Sequence, residues 1–87
     1  MAWEVTIRKS ARKEIRTLPH SVQRRVFGAL DILSQDPTPP QSRKLVGREK
    51  TYRFRVGDYR IVYEIIEQQL LVHVIRVAHR KDIYRQL

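Results

Sequence analysis

Two runs of alternating apolar and polar residues flank a glycine–aspartate pair, and this pattern constrains the fold more than any other part of the sequence. Residues 52–56 and 59–65 alternate with the period of two that a half-buried β-strand requires. Gly57-Asp58 between them is a two-residue turn signal, because glycine tolerates positive φ at the first central position of a hairpin turn. The two runs are therefore predicted to form an antiparallel β-hairpin.

The register of this hairpin separates two chemically different faces. A two-residue turn pairs Val56 with Tyr59 and Arg55 with Arg60, and paired residues point to the same face of a sheet. One face collects Tyr52, Phe54, Val56, Tyr59, Ile61 and Tyr63, and the other collects Arg53, Arg55 and Arg60. The first face needs an apolar cover, so the arginine face is predicted to be the open one.

The N-terminal half supplies that cover. A short strand is predicted at residues 3–7, followed by an amphipathic helix with Ser10 as its N-cap and Pro19 as its stop. A second helix is predicted from about Pro19 or Ser21 to Gln35. Its apolar stripe consists of Val22, Val26, Ala29, Leu30 and Leu33. The proline-rich residues 36–42 cannot continue a helix and are predicted to link the two halves.

The last strand is predicted from Leu70 to about Val77, and residues 81–87 are predicted to form a short helical turn or a frayed end. A two-residue turn before this strand would place Arg76 under the helices, whereas a three-residue turn at residues 67–69 places it beside Arg60. Burying an unpaired arginine is costly, so the second register is favoured, although it turns His73 inward.

Together these elements predict one α+β domain over residues 1–87, in the order β-α-α-β-β-β. The helical hairpin is expected to pack on one face of a four-stranded, mostly antiparallel sheet.

Composition limits the function classes. The formal net charge is +9, and thirteen of the 18 Lys and Arg residues are arginines, which favours a polyanionic partner such as nucleic acid. Cysteine is absent, which excludes disulfides and zinc–thiolate sites. Scattered carboxylates and three histidines without ligand spacing predict no metal site. Neither a membrane span nor a signal peptide is apparent, so a cytoplasmic protein is expected.

The arginine face is suited to a phosphate backbone. In the favoured register it carries Arg53, Arg55, Arg60 and Arg76, and Arg80 follows the last strand. Like charges directly opposite each other destabilise a sheet, so a contribution to stability does not explain these arginines. Binding of a polyanion explains them better. Such a face can also assist metal-free RNA cleavage, in which the 2′-hydroxyl attacks the adjacent phosphate and the protein stabilises the phosphorane. Arginine cannot accept a proton, which leaves Tyr84, His79 and Lys81 as candidate proton carriers.

Several segments carry a family resemblance. They are Arg43-Lys44-Leu45-Val46-Gly47, Tyr52-Arg53-Phe54-Arg55-Val56, Gly57-Asp58-Tyr59-Arg60-Ile61-Val62-Tyr63 and Val77-Ala78-His79-Arg80-Lys81-Asp82-Ile83-Tyr84. In this order of elements the sequence resembles the RelE/ParE superfamily of toxins from type II toxin–antitoxin modules, and most of all its RelE branch. The resemblance covers essentially the whole chain.

The resemblance implies an mRNA endoribonuclease (an mRNA interferase) that enters the ribosomal A site and cuts the bound message without a metal or another cofactor. It implies that Arg53, Arg55, Arg60 and Arg80 bind the scissile phosphate and that Tyr84 stacks on a base or transfers a proton. Lys44 and Arg76 are expected to add to RNA binding. The implied partners are the ribosome, mRNA and an acidic, RelB-like antitoxin that masks the basic surface, in the cytoplasm of a bacterium or archaeon.

Several family members carry lysine where this chain has Arg53 and Arg55, so a lysine base at these two positions is excluded, and proton abstraction shifts to Tyr84, to His79 or to purely electrostatic catalysis.

Two alternative functions stay open. A toxin of the ParE kind, which poisons DNA gyrase, is an alternative on the same fold. A nucleic-acid-binding module without catalytic activity is the other.

Overall fold

The computed structural model describes residues 3–83 as two helices on one face of a five-stranded sheet. The strands are β1 (Glu4–Ile7), β2 (Ser42–Lys44), β3 (Thr51–Val56), β4 (Tyr59–Ile66) and β5 (Leu71–His79). The helices α1 (Lys9–Arg16) and α2 (His20–Gln35) lie between β1 and β2. The strand order is β1-β5-β4-β3-β2, with β1 parallel to β5 and every other neighbour antiparallel. The predicted α+β class and the order of its main elements are confirmed.

The fifth strand corrects the predicted four-stranded sheet. Ser42–Lys44 pairs with β3 at the sheet edge, directly after the proline-rich segment. The Ser42 N–H and hydroxyl both donate to the Pro39 carbonyl, at 2.9 and 2.8 Å, and this turn directs the chain back along β3. Three residues are too few to show an alternating pattern, so the sequence alone did not indicate this strand.

The hairpin of β3 and β4 has the predicted register. Val56 lies opposite Tyr59, and Arg55 lies opposite Arg60. Gly57 has a φ of +59° while Asp58 keeps a negative φ, as in a type II′ turn. The turn therefore has the backbone twist that suits two antiparallel strands.

The start of α1 differs from the prediction. The Arg8 N–H still bonds to the Val74 carbonyl of β5, so α1 begins directly afterwards at Lys9. Arg8 is the N-cap residue, and Ser10 lies inside the first turn, so the predicted Ser10 cap is wrong. The α2 helix begins after Pro19 and ends at Gln35, as predicted.

The core lies between the helices and the inner face of the sheet. Helix residues Ala11, Ile15, Val26, Ala29, Leu30 and Leu33 pack on Phe54, Val56, Ile61, Tyr63, Ile65, Val72, Val74 and Val77. Full burial of one such aliphatic side chain is worth about 1.5–3 kcal/mol. The Tyr63 hydroxyl donates to the Pro37 carbonyl at 2.6 Å, and burial raises the pKa of this phenol above its usual value.

The β5 register differs from the prediction. Ile66 pairs with Leu71, so the connection has four residues, and a bulge opposite Val62 and Tyr63 shifts the remaining pairs by one. Arg60 consequently lies opposite Ala78, and the predicted neighbour Arg76 does not lie beside it. His73 pairs with Glu64 on the face opposite the core, where its Nδ1 lies 2.7 Å from the Thr6 hydroxyl, so its predicted inward orientation is also wrong.

The same bulge explains where Arg76 goes. It turns Ile75 to the open face, where Ile75 packs with Val62 and Ile83, while Arg76 reaches α1. The Arg76 Nε pairs with the Glu14 carboxylate at 3.1 Å. The predicted register avoided burial of an unpaired arginine, and the structure avoids it by supplying Glu14.

The chain beyond β5 turns sharply. The N–H groups of Asp82 and Ile83 both bond to the His79 carbonyl, at 2.8 and 3.0 Å, which agrees with the predicted turn as far as residue 83. Residues 1–2 and 84–87, including the candidate Tyr84, lie outside the described residues. No helix within residues 3–83 is long and apolar enough to cross a membrane.

Candidate nucleic-acid interface

A pocket of about 370 Å³ lies on the sheet face opposite the helices. Three strands or their flanks contribute to its walls. The lining residues are Pro40, Gln41, Arg43, Arg53, Arg55 and Arg60. Four guanidinium groups thus surround one concave site, which we call the arginine pocket.

Strand pairing explains why the four arginine side chains converge on one pocket. Arg43 of β2 lies opposite Arg53 of β3, and Arg55 of β3 lies opposite Arg60 of β4. Neighbouring strands are about 4.8 Å apart, so each pair places two cations side by side. Such like-charge pairs reduce sheet stability, and an anion bound between them would remove that penalty.

Backbone carbonyls hold the guanidinium groups at two ends of the pocket. Arg55 Nε and an Arg60 terminal nitrogen both donate to the Gly57 carbonyl, at 3.2 and 3.3 Å, and Arg60 also donates to the Tyr59 carbonyl at 3.2 Å. At the other end, Arg43 donates to the carbonyls of Pro40 and Ser42, at 3.3 and 3.1 Å. Carbonyl oxygens orient these guanidinium groups and do not themselves neutralise the positive charge.

Three of the residues singled out by the sequence are brought together here. Arg53 and Arg60 are half-buried and Arg55 is exposed, so their stems are supported while the pocket opens to solvent. The local register of the two-residue turn is sufficient to predict this grouping.

Arg80 lies close to the same turn. Its N–H donates to the Asp58 carbonyl at 2.8 Å, although its exposed side chain does not line the arginine pocket. Lys81 is exposed as well, and its N–H donates to His79 Nδ1 at 3.2 Å. Tyr84 follows Ile83, which is buried on the open face against Val62 and Ile75.

His79 belongs to the other face of the sheet. It pairs with Tyr59 on the helix side, and the two rings make an edge-to-face contact with centroids 5.4 Å apart. A second pocket of about 590 Å³ includes His79 together with Glu14 of α1 and Arg76 of β5. The structure therefore does not bring His79 to the arginine pocket, because the β5 bulge sets its strand face.

Two predicted RNA-binding residues also lie elsewhere. Arg76 is engaged with Glu14 and donates to the Ile83 carbonyl at 3.1 Å. Lys44 is exposed at the sheet edge, but it pairs with Tyr52 and so lies on the opposite face from Arg43. Neither lines the arginine pocket.

Sequence reasoning missed Arg43 as a pocket residue. Its position depends on the pairing of β2 with β3, and that short strand carries no periodic signal of its own. The only hint is its place two residues before the loop that leads into β3. Among residues 3–83, no group of three or more His, Asp or Glu side chains is arranged to hold a metal ion.

Comparison with known proteins agrees with this architecture. The family model for the ParE toxin of the type II toxin–antitoxin system parDE matches residues 5–84. Toxin RelG of Mycobacterium tuberculosis is 34% identical over 90 residues, which cover 99% of this chain and 100% of that protein.

Solved structures give the same result. The archaeal RelE–RelB complex from Pyrococcus horikoshii OT3 contains a chain with a TM-score of 0.82 and 30% identity, covering 92% of this chain and 97% of that chain. The intact E. coli RelBE toxin–antitoxin complex contains a chain that matches with a TM-score of 0.81 and 28% identity. The match covers 90% of this chain and 96% of that chain. The protein is therefore a toxin of the RelE/ParE superfamily of type II toxin–antitoxin systems and belongs to the RelE-like branch.

Proposed function

We propose that this toxin is an endoribonuclease that cleaves mRNA in the ribosomal A site and thereby stops translation. The observation that carries the proposal is the arginine pocket, in which four guanidinium groups from three strands face one open site. Arginine forms bidentate hydrogen bonds with phosphate oxygens, and a rigid sheet keeps such donors in place. The pocket is therefore suited to a phosphodiester of single-stranded RNA.

The chemistry follows from what arginine can and cannot do. The 2′-hydroxyl of the substrate attacks its own phosphate, and charge on the non-bridging oxygens rises as the phosphorane forms. Arg55 and Arg60 converge on the Gly57 carbonyl, and a phosphate at that end would receive hydrogen bonds from both. Arg53 lines the pocket beside them, and Arg80 follows close to the turn. We assign these four residues to charge stabilisation.

Proton transfer is assigned to the C-terminal turn. His79 contacts Tyr59 on the opposite face, which leaves Tyr84 and Lys81 as the carriers on this route. The buried Ile83 anchors the turn against Val62 and Ile75 on the open face, and Tyr84 is the next residue along the chain. The products of this route are a 2′,3′-cyclic phosphate and a 5′-hydroxyl.

An acidic, RelB-like antitoxin is the proposed regulator. The related structures from Pyrococcus horikoshii and E. coli are complexes of RelE with RelB. On the helix layer of this chain, a groove of about 260 Å³ has Ile7, Ile15 and Phe27 among its lining residues, with Arg12 and Arg16 beside them. A groove with apolar and cationic walls complements an amphipathic acidic segment, so we assign it to the antitoxin.

Substitution of pocket residues tests the nuclease proposal. Loss of one donor to a developing oxyanion typically slows catalysis by about 10²–10³-fold, so Arg60→Ala and Arg55→Ala are expected to abolish growth inhibition. Arg24→Ala removes the same charge from an exposed position on α2 and is the matched control. The measurement is growth after induction, combined with mapping of transcript 5′ ends; full toxicity of both pocket variants would contradict the assignment.

The family match also supports a second candidate, since the matching family model is that of ParE toxins. A gyrase-poisoning toxin would cause DNA breaks and would leave transcript ends unchanged. New 5′ ends inside translated codons, with intact chromosomal DNA, favour the nuclease. DNA breaks without such ends favour the gyrase poison.

A further inference from the structure

The side chain of Arg25 reaches the β3–β4 turn from the helix layer. Gly57 has no Cβ, and an ideal Cβ at this position would lie 2.9 and 3.2 Å from the two terminal nitrogens of Arg25 and 3.3 Å from its Cζ. The end of the guanidinium group therefore packs directly against the glycine. A larger residue at position 57 would obstruct this approach, so the turn glycine gives an arginine of α2 a place at the hairpin turn.

Gly57 lies between Arg25 and the arginine pocket. Its carbonyl accepts a hydrogen bond from Nε of the pocket residue Arg55 at 3.2 Å, while the end of Arg25 packs where a Cβ would stand. The carbonyl of the next turn residue, Asp58, accepts the Arg80 N–H at 2.8 Å, so β5 ends at the same turn. One glycine thus separates a cation of the pocket from a cation of the helix layer. A polyanion that leaves the pocket over the turn would meet Arg25.

The surroundings of Arg25 favour RNA over the antitoxin. The side chain is exposed, and no carboxylate within residues 3–83 forms an ion pair with it, that of the turn residue Asp58 included. Arg25 also does not line the groove assigned to the antitoxin. Arginine matches the geometry of phosphate oxygens, and contacts of this kind position a nucleic-acid backbone without reading its sequence. Arg25 is therefore placed to bind the backbone of a strand that extends beyond the pocket.

We propose that Arg25 binds a phosphate that flanks the scissile one, so that the RNA strand runs from the arginine pocket over the β3–β4 turn to α2. The inference rests on the proposed nuclease function, which places the scissile phosphate at the Gly57 end of the pocket, beside Arg55. In this arrangement Arg25 is a binding residue and takes no part in the bond-breaking step. It lengthens the RNA site beyond the nucleotides that flank the scissile bond.

Oligonucleotides of different length test the role of Arg25. The probes are 2′-O-methyl UpU, which has one phosphodiester, and 2′-O-methyl pentauridylate, which has four; the methyl group prevents cleavage. We expect Arg25→Ala to weaken binding of the pentanucleotide roughly three- to tenfold in an NMR titration. Binding of UpU should stay within about twofold of the wild type, which also shows that the pocket is intact. The Arg25 Nε–H signal of the wild type is expected to shift with the pentanucleotide and not with UpU.

Arg24→Ala is the matched control. Arg24 is adjacent on α2, exposed and equally charged, but it is not among the side chains that approach Gly57. The slope of log affinity against log salt changes by about 0.7 per phosphate contact of a single strand, so only Arg25→Ala is expected to reduce the slope for the pentanucleotide by that amount.

Three results would overturn the role of Arg25. They are equal weakening of the pentanucleotide by Arg24→Ala and Arg25→Ala, equal weakening of both probes by Arg25→Ala, and loss of antitoxin binding in Arg25→Ala with RNA binding unchanged. Binding is measured without cleavage, so the inference and the nuclease proposal fail separately. A wild-type protein that cuts no mRNA, yet shows the loss specific to Arg25, refutes the nuclease and retains this contact.

Discussion

Gly57 is the residue on which the geometry of the arginine pocket depends most directly. Its φ of +59° is accessible to glycine and strained for other residues. Its carbonyl accepts hydrogen bonds from both Arg55 and Arg60. A Cβ added at this position would lie 2.9 Å from a terminal nitrogen of Arg25, so that side chain covers the turn closely. One backbone position therefore fixes the hairpin turn and orients two of the four pocket cations.

Alanine substitution at the two glycines is expected to have opposite effects. Gly57→Ala is expected to lower the free energy of unfolding by about 1–3 kcal/mol, because alanine is strained at this φ; Arg25 can move aside. Gly28→Ala is the matched control, since it lies within α2 and its added Cβ meets no atom within 4 Å. It is expected to raise the same quantity by about 0.5–1 kcal/mol. Urea denaturation measures both, and a shift of the two variants in one direction would contradict the argument.

At the scale of elements, α1, β5 and the C-terminal turn are joined through Glu14. One carboxylate oxygen of Glu14 pairs with Arg76, and the other accepts the Val77 N–H at 2.8 Å. The β1 strand ends opposite Val74, so this carboxylate continues the pairing of β5 beyond the end of β1. Arg76 in turn donates to the Ile83 carbonyl. The helix side chain thus supports the segment that leads to Tyr84.

Glu14 and Arg76 are expected to differ in their contribution to the free energy of unfolding. Glu14→Ala leaves both the Arg76 guanidinium, whose side chain is 18% exposed, and the Val77 N–H without their carboxylate partner. Arg76→Ala leaves Glu14 with the Val77 N–H still bonded. We expect Glu14→Ala to cost about 2–3 kcal/mol and Arg76→Ala about 1–2 kcal/mol of unfolding free energy.

Hydrogen exchange separates the local effect from the global one. Arg76→Ala is expected to raise exchange at the Asp82 and Ile83 amides, which bond to the His79 carbonyl, more than at amides in β4. Glu49→Ala is the matched control for Glu14→Ala, because it removes a carboxylate from an exposed position in the loop before β3. Unchanged protection at Ile83 in Arg76→Ala would rule out an anchoring role for this arginine.

These elements also show what the sequence can predict. The β3–β4 hairpin is local: a two-residue turn sets its register, so Arg53, Arg55 and Arg60 could be placed on one face in advance. The position of Arg76 depends on a bulge and on Glu14, 62 residues earlier in the chain, and no local pattern encodes either. The position of Arg43 could not be predicted for the same reason, because the short edge strand β2 forms only through its pairing with β3.

At the scale of the whole molecule, the proposed RNA site and the proposed antitoxin site lie on opposite sides of the sheet. The arginine pocket opens on the face without helices, and the groove with Phe27 lies on the helix layer. An antitoxin bound only in the groove would leave the pocket open, so direct masking of the pocket requires a partner that extends from one face to the other. Toxicity and binding of the antitoxin are therefore expected to be separable by substitution.

Phe27→Asp is expected to separate them. The Phe27 side chain is 50% exposed, so the fold should tolerate the change, while the groove loses an apolar contact and gains a charge that repels an acidic segment. We expect at least tenfold weaker binding of the proposed antitoxin, with toxicity retained and poorly neutralised. Arg55→Ala is expected to do the reverse, since it abolishes toxicity and preserves a complex that co-purifies.

Ile32→Asp provides the matched control for the groove. Ile32 lies on the same helix, is 49% exposed and undergoes the same change of charge, but it does not line the groove. Calorimetric titration with the antitoxin should give wild-type affinity for Ile32→Asp. Equal loss of affinity in the two α2 variants would mean that overall charge, and not the groove, governs the complex, because both add one carboxylate to the same basic surface.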